Sequence, residues 1–138
     1  MVIRQLSVFI ENRVGKLCEV TGALAANGID IRAITLADTV EFGILRLIVS
    51  DPERAEAVLR EQNFAVSITE VLGVLVDDVP GGLNKVLTVL EREAISVEYA
   101  YAYISKSENA SVILYLKDHR RAAQVLQANG VRLLKEAY

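Results

Sequence analysis

A seven-residue segment occurs twice in this chain, and the repeat around it limits the fold more than any other feature. Glu11-Asn12-Arg13-Val14-Gly15-Lys16-Leu17 returns as Asp77-Asp78-Val79-Pro80-Gly81-Gly82-Leu83. Gly15 and Gly81, like Leu17 and Leu83, stand 66 residues apart, whereas Asp51 and Asp118, Val58 and Val125, and Leu59 and Leu126 stand 67 apart. The second copy has therefore gained one residue, most simply in the stretch Ser105 to Asn109. Self-similarity across nearly all of 138 residues implies one supersecondary unit used twice.

The order of elements within the unit follows from hydrophobic spacing. Val2 to Ile10 is rich in β-branched and large apolar residues and reads as a strand. From Val14 the period lengthens: Val14, Leu17, Cys18, Thr21, Leu24 and Ala25 recur at three and four, one face of a helix. Asn27-Gly28 is a helix stop, because glycine tolerates the left-handed conformation a C-terminus uses. Ile29 to Ala37 and Glu41 to Ser50 follow as strands, joined by a turn at Asp38-Thr39. Asp51 is placed to cap a helix whose first residue is Pro52, where the missing N–H costs nothing. Ala55, Val58 and Leu59 mark its inner stripe, and Phe64 to Ile68 is a fourth strand.

The same order then restarts. Leu72 to Val76 is a strand, Leu83, Val86, Leu87 and Leu90 form a helical stripe, and Ile95 to Ile104 pairs with Ala110 to Lys117. Asp118 caps a helix carrying Ala122, Val125 and Leu126, and Val131 to Leu134 closes the unit. The expected architecture is α+β: two βαββαβ units in tandem, residues 1–69 and 70–138, each an antiparallel sheet with helices on one face. Ser67 to Val71 has no Pro, Gly or charge run, so the fourth strand is expected to lead almost directly into the next unit, with Gly73 as a bulge or bend. Val8-Phe9-Ile10, Leu47-Ile48-Val49 and Val74-Leu75-Val76 are apolar on both faces. The sheet face away from the helices must then be partly covered, by the other unit or by a second chain.

Composition removes several function classes. The net charge is −3, without the basic footprint that phosphate binding requires, so no nucleic-acid partner is expected. No run of 18 apolar residues gives a membrane span, and Met1 to Gln5 lacks the order of a secretion signal; a cytoplasmic protein is expected. A single cysteine forms neither an internal disulfide nor a zinc site. Hydrophobic residues make up 52%, enough for a core and a covered surface, so a homodimer is expected.

Catalytic machinery is hard to assemble. His119 is the only histidine and sits beside a helix cap; Cys18 lies on the expected inner stripe, where a buried thiol is inert. No nucleophile–base set and no phosphate loop with its lysine is present, so neither an enzyme nor a cofactor is expected. The two turns remain. One reading makes Gly15 and Gly81 tight connections and Asn12 and Asp78 helix caps. The other makes each turn a site: helix-start N–H groups suit a carboxylate, and the acidic or amide residues before the glycine suit a cation. A zwitterion satisfies both.

The motif, an acidic or amide residue, Asn or Asp, a variable residue, Pro or Val, Gly, a variable residue and Leu within βαββαβ, resembles the ACT domain. Asn27-Gly28-Ile29-Asp30-Ile31 and Ala94-Ile95-Ser96-Val97 resemble that family's helix end and second strand. The resemblance covers both halves and implies a ferredoxin-like fold with regulatory binding of small molecules, usually amino acids, at interfaces between paired units. By position, N–H groups around Gly15 or Gly81 would hold a carboxylate, and Asn12, or Asp77 and Asp78, an amino group. Asp30-Ile31 or Ser96-Val97 of a neighbouring unit would form the opposite wall. Val14 replaces a proline common in the family and Asp78 an asparagine. The first turn is thus less preorganised and, with Arg13 and Lys16, open to an anionic group. The second is stiffer and more acidic, the stronger candidate for an α-amino group. A metabolic enzyme docking on the apolar sheet faces is the alternative partner. Tyr99, Tyr101 and Tyr103 stand where the first unit has Ala33, Thr35 and Ala37, and either pack large against small or wall a pocket.

Overall fold

A computed structural model of the chain describes residues 2–38, 42–103 and 110–135. The elements run β1 (Ile3–Glu11), α1 (Lys16–Ala26), β2 (Ile31–Asp38), β3 (Phe42–Val49), α2 (Pro52–Glu61), β4 (Ala65–Val76), α3 (Gly82–Arg92), β5 (Tyr99–Tyr103), β6 (Ala110–Tyr115) and α4 (His119–Ala128). Residue contacts group them into two units, Arg4–Thr69 and Met1–Ile3 with Glu70–Tyr138. The sequence expectation of an antiparallel α+β architecture holds. The turns expected at Asp38-Thr39 and Ser105 to Asn109 lie, but for Asp38, outside the described residues.

In the first unit the strand order is β2-β3-β1-β4, the ferredoxin-like arrangement. β3 lies between β1 and β2 and is antiparallel to both, with Val8 opposite Leu45 and Leu36 opposite the same leucine. The α1 crossover therefore returns the chain parallel to β1 with room for one strand between. Leu6, Val8 and Ile10 of β1 and Leu45, Leu47 and Val49 of β3 point to one face, where they meet Val20, Ala23 and Leu24 of α1 and Ala55 and Leu59 of α2. Each large aliphatic side chain buried this way contributes about 1.5–3 kcal/mol. On the opposite face Ala33 and Ile48 are also buried.

The second unit repeats the plan with β4-β6-β5. Leu72, Val74 and Val76 of β4 and Leu114 of β6 pack on Val86 and Leu90 of α3 and on Ala122 and Leu126 of α4. Its closing strand is reduced. Val131 to Leu134 does not form the expected strand but a single bridge, Leu133 opposite Val74, flanked by Leu75 N–H to Arg132 O (2.9 Å) and Leu134 N–H to Gly73 O (2.8 Å).

Several expectations are corrected. β4 runs unbroken from Ala65 to Val76, so the fourth strand does lead directly onward, but Gly73 is no bulge, because its register with Ile113 is regular. It is glycine because a Cβ there would stand 2.6 Å from Leu134 Cδ1 and 2.7 Å from Ile3 Cδ1. The strand expected from Ile95 begins at Tyr99. Residues 94 and 95 instead close the end of α3, through Ala94 N–H to Glu91 O and Ile95 N–H to Leu90 O, and Ile95 and Val97 pack on the core from this irregular lead-in. The stripe of α1 is displaced: Val20, Ala23 and Leu24 are buried, whereas Ala25 and Cys18 are exposed and Leu17 is partly so. Lys16–Ala26 carries apolar residues on several faces, so spacing alone picks no unique phase.

Helix ends follow local chemistry closely. Asp51 Oδ1 accepts from Arg54 N–H (3.2 Å) and Asp118 Oδ1 from Arg121 N–H (3.1 Å), as their positions predict. Gly28, Asn63, Ala94 and Gly130 follow the four helices with positive φ, and only Ala94 takes that conformation with a Cβ and no polar side chain.

Candidate functional site

The two repeated turns have nearly the same backbone. At the first, Arg13 N–H donates to Glu11 O (2.8 Å), Lys16 N–H to Arg13 O (3.3 Å) and Glu19 N–H to Gly15 O (2.9 Å). At the second, Val79 N–H donates to Asp77 O (2.9 Å), Gly82 N–H to Val79 O (3.0 Å) and Lys85 N–H to Gly81 O (3.1 Å). Gly15 (φ 90°) and Gly81 (φ 88°) occupy the residue before each helix in the left-handed region. A Cβ built at either position would meet no atom within 4 Å beyond the adjacent residues, so the requirement for glycine is conformational.

This geometry corrects the reading of Asn12 and Asp78 as helix caps. The capping position belongs to Gly15 and Gly81, and neither α1 nor α3 has a side-chain cap. In contrast, α2 and α4 are both capped by aspartate. Each unit thus has one helix start capped by an aspartate side chain and one, after Gly15 or Gly81, with no side-chain cap.

Around the first turn the charges are matched. Arg13 Nε lies 2.8 Å from Glu11 Oε2, and Lys16 Nζ lies 3.2 Å from Glu19 Oε2 and 5.8 Å from the centre of the Phe64 ring. Both cations have carboxylate partners. Val14 is fully exposed. A cleft of about 170 Å³ opens beside this turn. It is lined by the apolar Ile10, Leu17, Leu36 and Gly43 and by the polar Glu11, Asn12 and Arg13. Sequence reading had singled out Glu11, Asn12, Arg13 and Leu17 but not Ile10, Leu36 or Gly43. Their available signal was a glycine near the start of an otherwise apolar strand.

The second turn is built differently. Gly82 follows Gly81 where the first turn has Lys16, and a Cβ on Gly82 would run into the backbone carbonyl of Asp77. Asp77, Asp78, Val79 and Pro80 are exposed, as is Leu83 in part. By strand register, Leu36 opposite Leu45 corresponds to Ala102 opposite Val112, and Gly43 opposite Ile10 corresponds to Ala110 opposite Val76. The wall that Leu36 gives the first cleft is thus only a methyl group in the second unit.

The remaining residues lie elsewhere. Asp30 and Ile31 stand beyond the C-terminal end of α1, some 16 Å of helix from Gly15 at 1.5 Å per residue. Asp30 N–H donates to Ser50 Oγ (3.0 Å), its carboxylate lies 3.2 Å from Arg32 Nη1, and Ile31 packs on the core. Ser96 and Val97 occupy the matching place after α3, where with Leu87, Leu90, Glu91 and Ala94 they border a shallow groove of about 390 Å³. Within one unit these residues do not meet the turn. The tyrosines fall on the face away from the helices: Tyr99 pairs with Tyr115, Tyr101 with Ile113 and Tyr103 with Ser111, while Ala100 and Ala102 share the helix face with Leu114 and Val112. Tyr99 stacks on Tyr115 (centroids 4.9 Å) and on Tyr101 (6.4 Å). His119 Nε2 lies 2.9 Å from Glu70 Oε2, away from both turns in the chain. Among the described residues no helix is long and apolar enough to cross a membrane.

Comparison with known proteins decides the family. The family model described as an ACT domain pair matches residues 1–137. The chain belongs to the ACT domain pair family. A solved protein from Bacteroides thetaiotaomicron is 42% identical to this ACT domain pair over 97% of this chain and 92% of that one, with a TM-score of 0.91. The regulatory subunit of aspartate kinase from Thermus thermophilus, in its ligand-free form, covers 91% of each chain at 16% identity and a TM-score of 0.66. Aspartate kinase from Clostridium acetobutylicum matches 91% of this chain and 32% of its own at 14% identity and a TM-score of 0.55. The last two likenesses establish shared fold. No curated protein matches the chain. Membership in the ACT domain pair family supports a regulatory, ligand-binding role.

Proposed function

We propose that this ACT domain pair, with units at residues 1–69 and 70–138, is a non-catalytic cytoplasmic regulator that binds an amino acid at its strand-to-helix turns. The observation that carries this reading is the uncapped start of α1 beside a cleft lined by apolar and polar residues together. The N–H groups after Gly15 or Gly81 receive the ligand carboxylate. Asn12 at one turn, and Asp77 and Asp78 at the other, receive the amino group. Since Asp30-Ile31 and Ser96-Val97 lie at the far end of the helix from the turn of their own unit, an opposite wall from them must come from a neighbouring unit, as in a homodimer. The 170 Å³ cleft is below the roughly 300–1,000 Å³ of a complete small-molecule pocket, in keeping with part of a shared site.

Calorimetric titration of the purified chain with each of the twenty amino acids tests the reading, with thermal shift in parallel. A ligand at a hundred times its Kd raises stability by about 2.7 kcal/mol. Absence of heat and of stabilisation with all twenty, for monomer and dimer alike, would count decisively against it.

A second reading, a regulatory subunit docked on a metabolic enzyme, is favoured by Phe9 and Phe42. They lie on the sheet face turned from the helices and are 48% and 52% exposed. Replacing both by serine should abolish any such complex while leaving amino-acid binding intact.

A further inference from the structure

We infer that the closing segment Val131 to Lys135 of the second unit is a docking edge for an extended acidic peptide of a partner protein, which adds to it as a further antiparallel strand. The inference involves neither the two turns nor the phenylalanine face, and it stands whether or not an amino acid binds. It starts from hydrogen bonds. Leu75 N–H donates to Arg132 O and Leu134 N–H to Gly73 O, on either side of the bridge between Leu133 and Val74. Backbone groups alternate from one edge of a strand to the other, so the N–H and C=O of Leu133 point away from β4. Among the described residues neither has a hydrogen-bond partner. Such an edge is a template for another strand.

In the first unit the same position is closed. At the offset of 67, Leu133 corresponds to Val66, Gln127 to Arg60 and Ala123 to Glu56. Arg60 Nη2 donates to Val66 O (3.0 Å) and lies 3.3 Å from Glu56 Oε2, so the unit's own side chain occupies that carbonyl. Glutamine at 127 is shorter and uncharged, and alanine at 123 offers no carboxylate to steady it. The open edge therefore belongs to the second unit.

The surface beside it states the chemistry of the occupant. A groove along the segment is lined by Leu75, Val131, Leu133 and Leu134 together with Arg132 and Lys135. Both cations are exposed, and neither is ion-paired among the described residues. Leu133 packs on the core beneath the helices, whereas Leu134 reaches Gly73 on the other sheet face. By strand alternation Lys135 lies on the face of Leu133 and Arg132 on that of Leu134, one positive charge to each side. An antiparallel strand meets both when it reads acidic–apolar–apolar–acidic: the acids oppose Lys135 and Arg132, and the apolar pair opposes Leu134 and Leu133. Opposite charges across a strand pair stabilise it and like charges do the reverse. A second copy of this segment is disfavoured for that reason, since two-fold pairing about Leu133 would bring two arginines and two lysines into one short span.

The test uses the full chain and a fluorescein-labelled peptide with the core glutamate-valine-valine-glutamate between threonines, followed by fluorescence anisotropy. Saturable binding is expected. Exchanging both glutamates for lysine should weaken it about tenfold or more, and so should Arg132→Glu with Lys135→Glu in the chain. Both side chains are exposed, so the thermal midpoint of that variant should match the parent's; if it falls, the single variants Arg132→Gln and Lys135→Gln read the same contrast. Methylating the amide nitrogen of the second valine, which faces Leu133 O, should abolish binding. Methylating that of the first valine, which faces away from the edge, should leave affinity within about twofold, because main-chain hydrogen bonds at the edge carry strand addition. Absence of binding, undiminished binding to the charge-reversed chain, or equal loss from the two methylations would overturn the proposal. So would a dimer of the free chain that sedimentation shows to dissociate on methylation-independent blockade of the edge by Leu133→Pro, since a second copy would then be the occupant.

Discussion

At the first turn Lys16 follows Gly15 and extends its ammonium to Glu19 across the Phe64 ring; at the second, Gly82 follows Gly81 and has no side chain to extend. The backbones agree hydrogen bond for hydrogen bond, yet the second is drawn in until the Asp77 carbonyl lies against the Gly82 α-carbon. The first turn has ion-paired charges and a walled cleft. The second has two exposed carboxylates and alanines where the cleft would have Leu36 and Gly43. Duplication thus preserved the conformational requirement, set by a positive φ, and released the side chains around it.

Exchanging residues between the copies is the sharpest way to break that comparison. Gly82→Ala should destabilise the chain by about 3 kcal/mol, the upper end of overpacking costs, because backbone cannot move aside as a side chain can. The reciprocal Lys16→Gly should cost only about 0.5–1 kcal/mol, and urea denaturation of both variants would read the asymmetry. Equal losses would mean that the second turn is not the tighter one.

Ligand binding gives the next largest effect. Either contact would be a hydrogen bond to a charged ammonium, about 1.5–3 kcal/mol, but the Asp78 carboxylate adds the opposite charge that the Asn12 amide lacks. Asp78→Ala is therefore expected to weaken amino-acid binding at its turn tenfold or more, and Asn12→Ala to weaken it less at the other. Calorimetry that ranks them in reverse would place the amino group at the first turn.

Gly15→Ala and Gly81→Ala should each cost about 1–2 kcal/mol, the price of left-handed backbone with a Cβ, and should do so equally. Both sites have open space around them, so any inequality in the denaturation midpoints would point to a conformational difference that the shared φ does not contain.

The smallest effect concerns the helix ends. Ala94 (φ 54°) stands where the first copy has Gly28 (φ 67°). Ala94→Gly should stabilise the chain by about 0.5–1 kcal/mol and Gly28→Ala should destabilise it comparably, the left-handed penalty being partly offset by glycine's greater freedom when unfolded. Thermal unfolding of the pair would resolve the opposite signs.

Much of this was legible before any coordinates. Asp51 and Asp118 cap their helices, Gly28 follows its helix with the expected positive φ, and the offset of the repeat maps each element onto its partner. These are local matters: a cap reaches three residues and a φ belongs to one. Reading failed where the answer depended on distant chain. Cys18 sat on a plausible stripe but is exposed, since α1 has apolar residues on more than one face and only the sheet beneath it selects Val20, Ala23 and Leu24. Gly73 looked like a bulge but is a close-packing site for Leu134 and Ile3, some 60 and 70 residues away in sequence. The polar lining of the first cleft was readable because it lies within one turn. Leu36 and Gly43 were not, because they reach it through the pairing of β2 with β3 and of β3 with β1.

The sequence by itself determined that one βαββαβ unit is used twice, where its turns must fall, and which residues at those turns have unequal charge. Those properties are encoded in hydrophobic period and in the few residue types that accept a special backbone angle. Only the tertiary structure decided that the helix starts at both turns lack side-chain caps, that a cleft stands beside the first, and that the tyrosines of β5 face away from the helices. The last two depend on strand register, and a shift of one residue would turn those strand side chains to the other face.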